Sequence, residues 1–199
     1  GPKAAGFAVL LRIFFSLAPA LHVPWQMVFA VLATLTMFVG NLLAIRQTNI
    51  KRMLAYSSIA HAGYLLIGFV VGPHEPWGVA GILVYFVAYL LMNLGMFGVA
   101  ILLERATGSS AIDRFAGLAR SAPGWAALSV VLLLSLTGIP PTAGFLGKLY
   151  LFAAAIKSQQ WAWLAVVGIV NSVISLYYYM NVVRVMYFAQ GPGPALGRL

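Results

Sequence analysis

The chain is a succession of apolar runs, each about as long as a bilayer is thick. No other feature restricts its fold as strongly. The clearest run from Pro24 to Ile45, from Ile50 to Val71 and from Trp77 to Leu103. A helix needs about 20 such residues to cross the hydrocarbon core. Water is missing there, so a segment can cross only if its backbone groups are satisfied, as in a helix or a closed barrel. Runs of this length suit helices, whereas a spanning strand takes about 10 residues. Composition agrees: 62% of residues are hydrophobic and 8% charged, against about a quarter charged in soluble domains. The expected fold class is an all-α polytopic membrane protein.

Six transmembrane helices are expected in one bundle over residues 1–189: about 3–21, 24–45, 50–71, 77–103, 123–156 and 161–188. Proline suits the start of the second, and Gly72-Pro73 stops the third. A polar connection, Glu104 to Ala122, leaves room for a short interfacial helix around Ile112 to Arg120. Residues 190–199 are rich in Gly and Pro and read as a mobile tail. There is no convincing internal repeat, no soluble domain and no signal-peptide pattern. The opening at Gly1-Pro2-Lys3 is apolar almost at once, as expected of the middle of a larger protein. The net charge of +9 is spread between apolar runs, so it does not suggest nucleic acid. The absence of cysteine excludes disulfides, cysteine-held iron–sulfur clusters and thiol catalysis in this chain.

Basic residues orient the bundle. Six spans put both termini on one side. That side receives Arg46, Lys51, Arg52, Arg105, Arg114, Arg120, Arg184 and Arg198, and the other only Lys157. Basic connections stay inside, so both ends are expected to be cytoplasmic.

The fifth span, 123–156, is expected to be broken between Gly138 and Gly144, within the stretch Gly138-Ile139-Pro140-Pro141-Thr142-Ala143-Gly144-Phe145-Leu146-Gly147-Lys148. Pro140 and Pro141 lack N–H groups, so carbonyls one turn earlier lose their helical partners. Gly138, Gly144 and Gly147 are expected to loosen the backbone. Lys148 follows directly. An interrupted membrane helix with an ionisable residue at the break is a frequent plan for ion-handling sites. The alternative is a proline-kinked structural helix whose lysine reaches the interface.

Lys3, Arg12 and Lys148 lie inside apolar segments, and such a charge costs at least about 2.5–3.5 kcal/mol on insertion scales. Burial disfavours the ammonium form of a lysine, so a lysine in a half-wet cavity can release and regain a proton. Arg12 stays protonated and faces away from Lys3 on its helix, which suits a structural or snorkelling charge. The three acids, Glu75, Glu104 and Asp113, fall in connections. Neutral polar residues form helical stripes: Ser57, His61 and Tyr64; Tyr85, Tyr89 and Asn93; Asn171, Ser175 and Tyr178. Such groups can carry water and relay protons, or bond packed helices together.

Two stretches carry a specific resemblance. Gln47-Thr48-Asn49-Ile50-Lys51-Arg52-Met53-Leu54-Ala55-Tyr56-Ser57-Ser58-Ile59-Ala60-His61-Ala62-Gly63-Tyr64 and Leu134 to Lys148 resemble signatures of the antiporter-like membrane subunits of respiratory complex I, a superfamily that includes Mrp-type cation/proton antiporters. The Gln47–Arg52 form, Gly40-Asn41 and Leu176-Tyr177-Tyr178-Tyr179 resemble the N-type branch. The resemblance covers essentially the whole chain. It implies helices eight to thirteen of a fourteen-helix fold built from two inverted five-helix bundles, with the break in helix twelve. By the same resemblance, Lys3, His61 and Lys148 transfer protons, with Lys148 at the exit of the second half-channel. Ser57, Tyr85, Tyr89, Gly138, Pro140, Pro141 and Gly144 are the supporting polar and hinge positions. Tyr89 stands where several relatives carry a second histidine. The first half-channel and the fourteenth helix lie outside this sequence.

The implied function is a proton-translocating subunit of NADH-quinone oxidoreductase in the bacterial inner membrane, with no catalytic, metal or cofactor site of its own. FMN, iron–sulfur clusters and quinone are expected in partner subunits. The expected partners are other membrane subunits, a peripheral NADH-oxidising arm and lipid. The alternatives are a subunit of an Mrp-type sodium/proton antiporter and a non-transporting membrane scaffold. No dinucleotide-binding glycine fingerprint is present.

Overall fold

The structure is a computed structural model that describes residues 2–17, 25–73, 75–191 and 193. It is helical throughout: α1 (Pro2–Leu17), α2 (Trp25–Ile45), α3 (Ile50–Val71), α4 (Pro76–Thr107), a 3-10 turn (Ile112–Phe115), α5 (Leu118–Ser121), α6 (Pro123–Thr137), α7 (Ala143–Lys157) and α8 (Ala162–Phe188). Among the described residues, α2, α3, α4 and α8 are each long and apolar enough to cross a membrane alone. The paired halves α6 and α7 complete the broken fifth segment. α1 has 16 helical residues, and the expected continuation to residue 21 lies outside the described residues.

Punctuation in the sequence sets the helix ends. Asn49 caps α3, its side chain accepting from the N–H groups of Lys51 and Arg52. Pro76 and Pro123 occupy first-turn positions of α4 and α6, where a missing N–H costs nothing. α4 runs past the expected end at Leu103, so Glu104 and Arg105 are helical and not part of the connection. With 32 residues it is about 48 Å long and projects beyond the bilayer core. Gly108 stops it in the left-handed conformation, at φ 73°. The expected helix around Ile112 to Arg120 is instead a 3-10 turn followed by four α-helical residues. Gly117, at φ 77°, divides them.

α3 is the core helix. In its most apolar window 72% of residues are buried, against 33–39% in the other three spanning helices. It packs on α2, α4, α7 and α8. The other spanning helices present large apolar side chains outward, among them Leu35, Val87, Leu91, Val166 and Val173, as lipid contact requires. The polar stripe Ser57, His61 and Tyr64 on α3 is therefore turned into protein.

The α2–α3 and α4–α5 connections are clasped together. The Ile50 N–H donates to the Ser110 carbonyl at 2.9 Å, and the Ile112 N–H to the Thr48 carbonyl at 2.8 Å. Asn49 and Ala111 form an antiparallel bridge between them. Lys51 Nζ and the Ser110 hydroxyl both donate to the Glu104 carboxylate. This is the ion pair found among the described residues. α1 lies alongside α3, with Lys3 at the level of Ser58 and Phe15 against Phe69.

The break is shorter than expected. It covers Gly138 to Thr142, and Gly144 is already helical. Gly138, at φ 86°, ends α6, and the Pro140–Pro141 peptide is cis. The Thr142 hydroxyl accepts from the Phe145 N–H and caps α7. Of the three glycines expected to loosen this stretch, only Gly138 uses its conformational freedom. Gly144 and Gly147 are in regular helix, and what they supply is absence of bulk. A side chain at Gly144 would overlap the Ser135 carbonyl, and one at Gly147 would meet the Tyr85 backbone at 2.8 Å.

Candidate functional site

Lys148 lies in the second turn of α7, buried to 3% exposure. Its side chain runs back over Gly138. Its Nζ donates to the Thr137 carbonyl at 2.9 Å and to Ser172 Oγ at 3.0 Å. The Tyr64 ring centroid is 4.2 Å from the same nitrogen. The carbonyl partner follows from the sequence. In an uninterrupted helix Thr137 would accept from residue 141, but Pro141 has no N–H to give. The break therefore creates the acceptor that the lysine takes. That acceptor is at the C-terminal, negative end of α6, where a cation is favoured.

His61 is buried on α3 between two tyrosines. Its Nδ1 lies 2.5 Å from the Tyr85 hydroxyl, and its Nε2 lies 3.3 Å from the Tyr179 hydroxyl. Tyr179 also bonds Ser57. The His61 and Tyr89 ring centroids are 4.9 Å apart.

Lys3 is separate from this cluster and closer to the surface. Its Nζ donates to the Ser58 carbonyl at 2.7 Å and to Ser58 Oγ at 2.8 Å, and lies 5.8 Å from the Tyr89 ring centroid. Ser58 Oγ donates to the Ala55 carbonyl at 2.7 Å and lies beside Tyr89. A cavity of 460 Å³ adjoins Lys3, Tyr89 and Asn93. Arg12 is exposed on the same helix.

The three stripes thus meet around α3, and residues beyond the expected set join them. Ser172 Oγ lies 3.3 Å from the Tyr64 hydroxyl. Asn41 Oδ1 accepts from the Tyr178 hydroxyl at 3.0 Å. Hydrogen bonds thus join His61, Tyr179 and Ser57, then Tyr178 and Asn41, then Tyr64, Ser172 and Lys148. These three groups lie side by side, with Tyr178 beside Ser57 and Tyr64 beside Asn41. Asn41 Nδ2 also donates to Asn171 Oδ1 at 2.9 Å. Ser175 leaves the network and donates to the Ser172 carbonyl. Ser172 carries no sequence signal beyond position on α8. Tyr179 and Asn41 are marked only by the resemblance of Leu176-Tyr177-Tyr178-Tyr179 and Gly40-Asn41, which assigns them no role.

Chemically, the hydroxyls and the imidazole both donate and accept, as a proton relay requires. Asn41 has a fixed acceptor and fixed donors, so it holds the network in register and passes no proton. Among the described residues no cluster of His, Cys, Asp or Glu could hold a metal ion.

Residues 2–175 match the family described as NADH:quinone oxidoreductase/Mrp antiporter, TM. NADH-quinone oxidoreductase subunit N 2 of Sorangium cellulosum is 53% identical over 196 residues, covering 94% of this chain and 38% of that protein. The chain thus spans well under half the length of that relative. A chain of respiratory complex I from Thermus thermophilus with bound aureothin superposes with a TM-score of 0.70 at 32% identity, over 84% of this chain and 38% of that one. A chain of the Mrp complex from Dietzia sp. gives 0.75 at 27% identity, over 84% and 31%.

Proposed function

Since the chain belongs to the NADH:quinone oxidoreductase/Mrp antiporter transmembrane family, we propose that it forms a proton half-channel in a membrane subunit of an NADH-quinone oxidoreductase. The observation that carries this reading is Lys148 Nζ, buried and held by the freed Thr137 carbonyl and by Ser172. A structural lysine at a kink would extend to the interface. This one turns inward, to the end of a polar network that includes His61.

In this mechanism Lys3 is the entry group, handing a proton through Ser58, Tyr89 and water to His61. From there water beside Tyr64 carries it to Ser172 and Lys148, because the Asn41 amide interrupts a purely side-chain route. The five-residue break gives Lys148 room to exchange partners. Charge changes in neighbouring subunits gate the step, driven by quinone reduction elsewhere in the complex. FMN, iron–sulfur clusters and the quinone reside in those partners, and both ends of this chain face the cytoplasm of a bacterial inner membrane. The sodium/proton antiporter alternative is weaker, since the Mrp chain shares 27% identity against 53% for the Sorangium protein.

The test is Lys148→Met in the assembled complex, with proton pumping measured beside NADH oxidation. Pumping per electron falls by roughly half or more, while the complex stays assembled. Unchanged pumping would remove Lys148 from the path. It would leave the scaffold reading in its place.

A further inference from the structure

The outward face of α8 carries a groove that the proposed proton path does not use. A hollow of 450 Å³ lies between α7 and α8 beside Lys148, walled by Leu149, Phe152, Ile156 and Ile169. A second, of 580 Å³, runs along α8 past Tyr177 and Asn181 to Arg184. Val173 and Leu176 line both, so the two hollows are one continuous groove.

Its chemistry is graded from end to end. The Lys148 end is walled by hydrocarbon. At the other end Arg184 is exposed, and its guanidinium donates to Asn181 Oδ1 at 3.0 Å. Among the described residues no carboxylate pairs with it. Arg184 lies eleven residues after Val173, about 16 Å of helix rise. Half of the hydrocarbon core is about 15 Å. With Arg184 at headgroup depth, the junction of the two hollows at Val173 lies near the bilayer midplane, within reach of one acyl chain in one leaflet, and the hollow beside Lys148 continues past it towards Ile156.

We propose that this groove binds an anionic phospholipid, with its phosphate on Arg184 and Asn181 and one acyl chain laid past Val173 and Leu176 into the hollow beside Lys148. Basic pockets between membrane helices recognise such headgroups. The tail fills the hollow with hydrocarbon and bars water from reaching Lys148 from the lipid side. The site stands whether or not Lys148 moves protons, because its test reads lipid and not pumping.

The native assembly holding the chain is reconstituted in phosphatidylcholine vesicles with a minor share of phosphatidylglycerol. The phosphatidylglycerol carries a diazirine at the end of one acyl chain. Light places crosslinks at Leu149, Phe152 or Leu176. Arg184→Gln lowers their yield about fivefold, the effect of one basic residue at the surface. A phosphatidylcholine probe with the same tail falls equally short. Val173→Trp keeps the cation and blocks the tail, so crosslinks retreat towards Met180. Crosslinking indifferent to headgroup and to Arg184 overturns the proposal. So does a photoreactive amino acid at position 173 that captures a polypeptide in place of lipid, since the groove is then a protein interface.

Discussion

At the residue scale, the decisive contact is between an ammonium and a carbonyl that proline has freed. Pro141 removes the N–H that Thr137 would have used, and Lys148 supplies another donor from a different helix. Lysine and arginine both satisfy a carbonyl, but only lysine releases its proton within reach of physiological pH. Lys148→Arg is thus expected to keep the complex assembled and to abolish most of its pumping, measured as acidification per NADH oxidised. Gly144 makes the contact possible by letting α7 lie against the Ser135 carbonyl. Gly144→Ala forces that pair apart and is expected to cost about 1–3 kcal/mol, read as earlier thermal unfolding in detergent. Gly98→Ala is the control, since nothing lies within 4 Å of the added methyl. Tyr179→Phe removes the hydroxyl joining Ser57 to His61 and should cost about 1 kcal/mol, with a smaller loss of pumping than His61→Ala.

At the scale of elements, two devices hold the bundle's working parts in place. One is the break itself. Gly138 takes φ 86°, a conformation that costs other residues about 1–2 kcal/mol. The same position faces the Lys148 stem, which a methyl would meet at 2.8 Å. Gly138→Ala therefore disturbs both backbone and lysine. The other device is the clasp of Lys51, Glu104 and Ser110 at the start of α3. Its charged partners are about a third exposed and screened by solvent, so Glu104→Gln should leave global stability nearly unchanged. The expected signature is local: faster hydrogen exchange at Ile50 and Ile112, whose N–H groups bridge the two connections, with the bundle core unchanged.

At the scale of the whole molecule, the asymmetry of basic residues predicts an orientation that labelling can test. The chain's residues include no cysteine, so they add no competing thiol of their own. Ala106→Cys lies at the basic end of α4, and Gln160→Cys in the α7–α8 connection, both exposed. A membrane-impermeant maleimide is expected to label the first only from the cytoplasmic face and the second only from the opposite face. Cytoplasmic labelling at position 106 would put the groove on α8 in the cytoplasmic leaflet, because Arg184 is expected on the side of Ala106.

Much of this was legible in the sequence because membranes leave few choices. Apolar length dictated helices, since no other open structure satisfies its backbone in hydrocarbon. Pro123 and Gly138 marked ends because each acts on its own backbone, whereas α4 stops at Gly108, beyond the end expected at Leu103. The polar stripes of α3, α4 and α8 were visible for the same local reason: helical period is a property of one segment. What the sequence could not state was which stripes meet. Nothing in its order links Asn41 to Tyr178, or Ser172 to Lys148, because those contacts arise from helix packing. Nor did it show that Gly144 and Gly147 serve approach and not flexibility. Both uses need a residue without a side chain, and only the position of the neighbouring helices decides between them.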